Sequence, residues 1–256
     1  MAARKRPAPP TSRPRGRKAA PARPAPAKPH RGPRESDQAA AERAGRILER
    51  LEEAHPEATC ALHYRNAWEL VVATILSAQC TDQRVNLVTP ALFARYPTPA
   101  DMATASPAEL EELIRSTGFF RAKSRSLMGC ARAIVEQHGG HVPPRMEALV
   151  KLPGIGRKTA NVVLGHAFDI AVGIAVDTHV LRVAERLGLS RGDDPIEVER
   201  RLMSLLPPAR FTRASDLLIF HGRKVCDARR PACARCNAFD LCRWPDRQAV
   251  ALAARP

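Results

Sequence analysis

Four of the seven cysteines lie close together near the C-terminal end of the chain. Cys226, Cys233, Cys236 and Cys242 are spaced C-x6-C-x2-C-x5-C, within 17 residues. In a chain without a secretory signal, four such thiols indicate a metal centre rather than disulfides. The spacing differs from the paired CxxC of a zinc ribbon and suits a cuboidal iron–sulfur cluster, whose four iron corners each take one thiolate. A zinc ion held by four cysteines is the alternative.

A glycine-containing turn, LPGIGRKTA, precedes a predicted helix. Gly154 and Gly156 permit positive φ, so the chain can reverse there and bring its backbone close to another surface. The helix that begins near Gly156 presents unpaired N–H groups and the positive end of its dipole. With Arg157 beside them, these groups favour binding of a phosphate. Such a contact does not depend on the identity of the base. An ordinary turn between two helices is the alternative.

An amine and a carboxylate follow this turn. Lys158 lies in the first turn of the predicted helix, where the dipole, Arg157 and partial burial favour the neutral, nucleophilic amine. Asp177, nineteen residues further on in VDTH, begins the next helix as an N-cap. The intervening helix would return Asp177 to the side of Lys158. Such a pair can attack a sugar carbon and stabilise the developing positive charge. Considered alone, Lys158 is more typical of a phosphate contact.

From residue 36 onward the sequence shows apolar residues at helical spacing and no run of alternating strand residues. The connections between the predicted helices are short, which indicates an all-α protein. We predict helices over residues 39–54, 68–78, 81–95, 107–116, 122–138, 146–151, 156–167, 178–187, 195–205 and 212–225.

The N-terminal segment differs in composition from the rest of the chain. Residues 1–34 contain eleven Lys or Arg, nine Pro and no acidic residue. These eleven positive charges make up most of the net charge of +15, so the rest of the chain carries only +4. We predict a disordered basic tail over 1–35, which would add salt-sensitive attraction to a polyanion. A solubilising or targeting extension is the alternative. The sequence has no secretory h-region and no apolar run long enough to span a bilayer, so we expect an intracellular protein without a membrane partner.

Three motifs in unbroken order, LPGIGRKTANVV, VDTH and C-x6-C-x2-C-x5-C, resemble endonuclease III, the family of helix–hairpin–helix DNA glycosylases and AP lyases with a [4Fe–4S] cluster. The resemblance covers residues 36–245. It implies an all-α fold of two helical domains that flank a DNA-binding groove. The expected parts are a six-helix barrel domain over 60–170 with its helix–hairpin–helix at about 146–167, a cluster domain from 36–59 and 171–246, and a C-terminal tail over 247–256.

The resemblance also implies roles for individual residues. Lys158 matches the nucleophile that forms a Schiff base, Asp177 matches the essential carboxylate, and the four cysteines would hold the [4Fe–4S] cluster. Gly154, Gly156 and Arg157 would contact DNA. Gln79 matches the residue that fills the gap left by a flipped nucleotide, although without the resemblance it is an ordinary polar residue at a helix end.

Two further DNA contacts are open to a second interpretation. Phe119 and Phe120 replace a Leu-Tyr pair in the loop that wedges into the duplex, and a buried Phe pair is the alternative. His179 would assist in the pocket, or would pack at a helix start.

Three arginines near the cysteines would face phosphates, or would be solvated charges on a polar loop: Arg229, Arg230 and Arg235. Cys60, Cys80 and Cys130 are predicted to be small core residues.

The function implied is a bifunctional DNA N-glycosylase and AP lyase of base excision repair. It would remove oxidised pyrimidines from double-stranded DNA, or act at abasic sites, as a monomer on the nucleoid in a bacterial cytoplasm. Monofunctional adenine-excising relatives are one alternative, but they usually carry a small residue such as Ser at the position of Lys158. A non-catalytic helix–hairpin–helix module is the other, and it would need neither Lys158 nor Asp177.

Overall fold

Helices account for all the regular secondary structure that a computed structural model describes, over residues 35–253. This confirms the all-α prediction for the described part of the chain. The predicted basic tail lies outside the described residues except for its last residue, Glu35, which pairs with Arg43. The α-helices are α1 Asp37–Ala54, α2 Ala67–Ser77, α3 Asp82–Arg95, α4 Pro99–Ala103, α5 Pro107–Ile114, α6 Phe120–His138, α7 Met146–Leu149, α8 Arg157–Ala167, α9 Thr178–Leu187, α10 Pro195–Leu205, α11 Phe211–Lys224 and α12 Arg247–Ala253, with 3₁₀ turns at Arg115–Thr117, Pro208–Arg210 and Cys233–Arg235.

Two helices were not predicted from the sequence. Helix α4 has only five residues, too few to show a helical period, and it begins with a capping box in which Thr98 and Asp101 bond each other's backbone N–H. Helix α12 occupies residues 247–253, most of the predicted C-terminal tail over 247–256. All the helices described in residues 35–253 are too short or too polar to span a bilayer.

One hydrophobic core is drawn from residues 62–164. Its centre is α2, in which every residue from Trp68 to Leu76 is buried. Helices α3, α5, α6 and α8 contribute apolar side chains around it. Because α2 is enclosed on all sides, it is almost wholly apolar rather than amphipathic, with Glu69 and Thr74 as its buried polar residues.

A second core is drawn from residues 40–58 and 174–241. Here α1 packs with α10 and α11, although it is far from them in sequence. The buried guanidinium of Arg43 fastens this arrangement, since it donates to the carbonyls of Leu187 (2.7 Å), Gly188 (2.9 Å) and Leu241 (3.2 Å) and pairs with Glu35. The two cores show how the chain is built; the exact bounds of the two domains stay a prediction.

Candidate active site

The turn between α7 and α8 uses its two glycines differently. Gly154 has φ +82°, and a Cβ on it would lie 2.9 Å from the Cβ of Ser126. Both the left-handed backbone and the close approach therefore require glycine at this position. Gly156 has φ −94° and open space around it, so it does not use the positive φ that the sequence permits.

The N-terminus of α8 is open. Gly156 is its N-cap residue and supplies no side-chain hydrogen bond. Within the described part of the chain, the backbone N–H groups of Arg157, Lys158 and Thr159 find no acceptor. Together with the dipole of an 11-residue helix, these groups form a site suited to an anion. Lys158 is exposed beside this site, so the expected partial burial of its side chain is wrong.

Arg157 is held by a buried carboxylate. Its Nε donates to Glu199 Oε2 at 2.6 Å, and Glu199 Oε1 accepts from Asn161 Nδ2 at 2.8 Å. The Arg157 side chain is still 46% exposed, and its Nη atoms have no partner in residues 35–253. This network ties the first turns of α8 to α10 and leaves the outer edge of the guanidinium available.

Asp177 is the N-cap of α9, as predicted. Its Oδ1 accepts from the N–H groups of His179 (2.8 Å) and Val180 (2.9 Å), while Oδ2 accepts no hydrogen bond from the described residues. Asn161, one turn along α8 from Lys158, donates to the carbonyl of Ile174 at 3.3 Å. Three residues of chain span at most about 10 Å. The segment that carries Asp177 is therefore fastened to α8 close to the turn that carries Lys158.

His179 follows Asp177 and is half-buried. Its Nδ1 lies 3.1 Å from Arg182 Nη2, and the same guanidinium donates from Nε to the carbonyl of Cys226 at 3.1 Å. Burial is the main cause that lowers the pKa of His179, against the opposing effect of Asp177. The histidine is thus biased toward the neutral form.

A cavity of about 810 Å³ lies beside His179. Its wall includes an ion pair between Asp82 at the start of α3 and Arg223 at the end of α11, 2.7 Å apart. Cys80 and Asn86 also line it. Asp82 and Arg223 were not predicted from the sequence as site residues. The position of Asp82, three residues after Gln79, is the signal that could have indicated one.

Gln79 and Phe119 share an unusual backbone conformation. Among residues 35–253, positive φ occurs at only three non-glycine residues: Gln79 (54°), Phe119 (49°) and Asp169 (55°). Gln79 is exposed and Phe119 is 71% exposed, so the alternative of a buried Phe pair is wrong for Phe119. Left-handed backbone at residues with a Cβ is strained and clusters at functional sites. Both side chains are presented to solvent from constrained loops.

All four cysteines of the C-terminal motif line one cavity. Neighbouring groups approach their sulfurs: Arg186 Nη1 donates to Cys226 at 3.4 Å, and His221 Nε2 lies 3.6 Å from Cys236. Within residues 35–253, no three His, Cys, Asp or Glu side chains are close enough to share one metal ion. The four sulfurs surround a common space.

Burial is the main cause that raises the pKa of three of these thiols, Cys233, Cys236 and Cys242, and it brings Cys236 to about 11. Free thiols in this environment stay protonated at neutral pH. Coordination to iron or zinc would deprotonate them. Four cysteines around one cavity are a donor set that iron or zinc can use.

The sequence model of the HhH-GPD superfamily of base excision DNA repair proteins matches residues 72–208. Endonuclease III of Synechocystis sp. is 54% identical over 201 residues, which are 78% of this chain and 92% of the relative. Endonuclease III of Bacillus subtilis is 46% identical over 197 residues, which are 77% of this chain and 90% of the relative.

Solved structures agree with these relatives. A trapped endonuclease III–DNA covalent intermediate, 41% identical, superposes with a TM-score of 0.78 over 82% of this chain and 98% of that one. A thermostable thymine-DNA glycosylase, 21% identical, has a TM-score of 0.69 over 79% and 96% of the two chains, and it shows a likeness of fold alone. The chain therefore belongs to the endonuclease III family of the HhH-GPD superfamily, and it is a DNA glycosylase and AP lyase of base excision repair.

Proposed function

We propose that this enzyme is bifunctional, with Lys158 as the nucleophile that both releases a damaged pyrimidine and cuts the strand. The observation that carries the proposal is the arrangement at α8: an exposed Lys158 stands at an open helix N-terminus, and the segment bearing Asp177 is fastened to the same helix through Asn161. An amine, a carboxylate and an anion site thus come from neighbouring parts of the fold.

In the proposed reaction the neutral amine of Lys158 attacks C1′ of the deoxyribose. The glycosidic bond breaks, and the base leaves with the electron pair and takes up a proton. Opening of the sugar ring transfers a proton to O4′ and leaves a protonated imine between Lys158 and C1′. The imine acidifies the C2′ proton. Loss of that proton expels the 3′ phosphate by β-elimination, and water then hydrolyses the imine to release the enzyme.

Asp177 would stabilise the positive charge that builds on the sugar as the base departs. Its Oδ1 is occupied by the backbone of α9, whereas Oδ2 has no partner among the described residues. The cap holds the carboxylate in one orientation, so no reorganisation is needed as charge develops.

The open end of α8 would bind a phosphate of the DNA strand through backbone N–H groups. Gly154 lets the turn approach closely, and the free Nη atoms of Arg157 would reach a neighbouring phosphate. Such contacts position the duplex without reading its sequence. Endonuclease III has been solved in complex with DNA, and we extend double-stranded DNA as a partner to this chain.

The base of the flipped nucleotide would enter the cavity beside His179, which Lys158 and Asp177 do not line. Gln79 and Phe119 would fill the gap that the nucleotide leaves in the duplex. Asp82, Asn86 and Arg223 give this cavity polar groups that can hydrogen-bond the edges of an oxidised base. Oxidised pyrimidines that have lost stacking are extruded at lower energetic cost than intact bases. We therefore propose oxidised pyrimidines and abasic sites as substrates.

Cys226, Cys233, Cys236 and Cys242 would hold a [4Fe–4S] cluster. The C-x6-C-x2-C-x5-C spacing, the common cavity that the four cysteines line and membership of the endonuclease III family support a cluster over a single zinc ion. When bound, the cluster would order the loop between α11 and α12 and supply no redox step. Visible absorption and iron content of the purified protein test this assignment, and stoichiometric zinc without iron would contradict it.

One chain carries the amine, the carboxylate and the anion site, so we propose that the enzyme acts as a monomer. Its proposed substrate would place it on the nucleoid of a bacterial cytoplasm.

The decisive experiment is borohydride trapping of an abasic-site duplex by wild type and by Lys158→Gln. We expect a covalent adduct with wild type and none with the variant, because only an imine is reduced to a stable bond. Lys151→Gln is the matched control, since Lys151 is an exposed lysine of the same hairpin. Persistent trapping by Lys158→Gln would refute the assignment of the nucleophile.

A further inference from the structure

A buried lysine lies behind the two loops proposed to enter DNA. Lys123, in the first turn of α6, is only 5% exposed. Its Nζ donates to the carbonyl of Leu76 at 2.7 Å and to the carbonyl of Thr117 at 2.8 Å. Fully buried lysines are rare because desolvation of the amine is unfavourable. This one is retained where it joins two separate segments of backbone.

Both carbonyls lie at the C-terminal ends of helical segments. Leu76 is in the last turn of α2, and Thr117 ends the 3₁₀ turn Arg115–Thr117. The last carbonyls of a helix have no partner within it and carry the negative end of the dipole. An amine placed between two such ends satisfies both of them, which explains why a lysine is tolerated here.

Each carbonyl lies two or three residues before one of the strained, exposed residues. Gln79 follows Leu76 by three residues, and Phe119 follows Thr117 by two. Left-handed backbone at such residues costs on the order of 1–3 kcal/mol and persists only where the surroundings enforce it. Among the hydrogen bonds of residues 35–253, those from Lys123 Nζ directly join the two segments.

We propose that Lys123 is a positioning residue that holds the Gln79 and Phe119 loops at a fixed separation, so that both side chains enter the duplex as one unit. This rests on the proposed role of Gln79 and Phe119 as duplex contacts. Unstacking a nucleotide is unfavourable by a few kcal/mol. Loops that are already ordered in the free protein lose less conformational entropy on binding, and more of the contact energy then supports extrusion.

The test compares two substrates, an abasic site in a duplex and the same site in a single strand, under single-turnover conditions. A single strand has no gap to fill and no stack to open, so it needs Lys158 but not the paired loops. Lys123→Met removes the amine that donates both hydrogen bonds and leaves an unbranched side chain of similar length in its place. We expect the scission rate on the duplex to fall about tenfold or more, with the single-strand rate within about threefold of wild type.

Cys130→Ala is the matched control. Cys130 is fully buried on the same helix and in the same core, but it bonds neither loop. Its truncation loosens the packing without touching either carbonyl, so the ratio of duplex to single-strand rates stays at the wild-type value. An unchanged ratio for Lys123→Met would overturn the proposal. If that variant does not fold, Lys123→Gln, which keeps N–H donors on a shorter side chain, replaces it in the same comparison.

A double-mutant cycle with Gln79→Ala gives a second readout. If Lys123 acts through the loops, its removal in the Gln79→Ala background lowers the duplex rate by much less than in wild type. Additive losses would contradict the coupling. These outcomes are separate from failure of the proposed function, since in that case wild type itself would not cut the abasic duplex.

Discussion

Helices α8 and α9 both begin with backbone N–H groups that have no acceptor within the helix. The two helices differ in what is offered to these groups. At the start of α9, Asp177 Oδ1 accepts from the N–H groups of His179 and Val180, so a carboxylate of the chain itself satisfies two donors of the helix end. At the start of α8, Gly156 offers no side chain, and the first N–H groups have no acceptor in the described residues. One end is closed and the other is open.

The difference arises from the residue type at one position, the N-cap. An aspartate there stabilises the fold by about 1 kcal/mol relative to alanine, and it also fixes a carboxylate that has one oxygen to spare. A glycine at the N-cap costs only a few tenths of a kcal/mol relative to aspartate, but it has no side chain and leaves an electropositive end for an external anion. In the proposed reaction the closed end of α9 thus supplies the carboxylate of Asp177, and the open end of α8 binds a phosphate of the DNA.

The largest expected effect separates the two roles of Asp177. Asparagine caps a helix about as well as aspartate but carries no charge. We expect Asp177→Asn to keep the free energy of unfolding within about 0.5 kcal/mol of wild type, while single-turnover scission falls about 10²–10⁴-fold. Asp177→Ala should lose the same activity and also about 1 kcal/mol of stability in urea denaturation.

Asp194→Asn is the control for this pair, because Asp194 caps α10 in the same way and is exposed. It should alter neither stability nor rate. Full activity of Asp177→Asn would mean that Asp177 acts only as a cap, and α9 would then have no catalytic counterpart to the open end of α8.

The open end can be examined through its two glycines. Alanine at Gly154 would need a left-handed backbone and would bring its Cβ against Ser126. We expect Gly154→Ala to lose about 2 kcal/mol of stability and also affinity for an abasic duplex. Alanine at Gly156 meets nothing within 4 Å. Gly156→Ala should therefore keep its stability but weaken duplex binding about tenfold, because the methyl group stands where a phosphate would approach.

Urea denaturation and fluorescence anisotropy with a labelled duplex separate these effects. If Gly156→Ala binds DNA as tightly as wild type, the N–H groups of α8 do not contact a phosphate, and the contrast between the two helix ends has no functional meaning.

Local signals in the sequence predicted helix ends well. Helix α9 begins and ends at the predicted residues, because Asp177 caps its start and Gly188 (φ +69°) ends it. Helix α8 begins one residue after its predicted start, because Gly156 is its N-cap rather than its first helical residue. Such signals depend on a few neighbouring residues and need no tertiary information.

Long-range pairs could not be predicted in this way. Glu199 holds Arg157 from a helix 42 residues away, and neither residue identifies the other by spacing. The exposure of Lys158 likewise depends on what packs over α8. Lys123 did leave a signal, since it shares a helical stripe with the buried residues Leu127, Cys130 and Ile134. A lysine on an apolar stripe indicates a buried cation but not its acceptors.

The smallest expected effect concerns a different kind of phosphate contact. Arg229, Arg230 and Arg235 are exposed, and their side chains have no partner in residues 35–253. Unlike the N–H groups of α8, they carry full charges and would release counterions on binding. Each single substitution to Ala should weaken duplex binding a few-fold near 0.15 M salt and reduce the slope of log K against log salt by about 0.9.

Arg200→Ala, which removes an exposed arginine paired with Glu197 on α10, is the matched control and should leave the slope unchanged. Gly156→Ala should weaken binding with the wild-type slope, because backbone N–H groups carry no net charge. An unchanged slope in all three arginine variants would mean that these side chains face water. Phosphate binding would then be left to other groups, the open end of α8 among them.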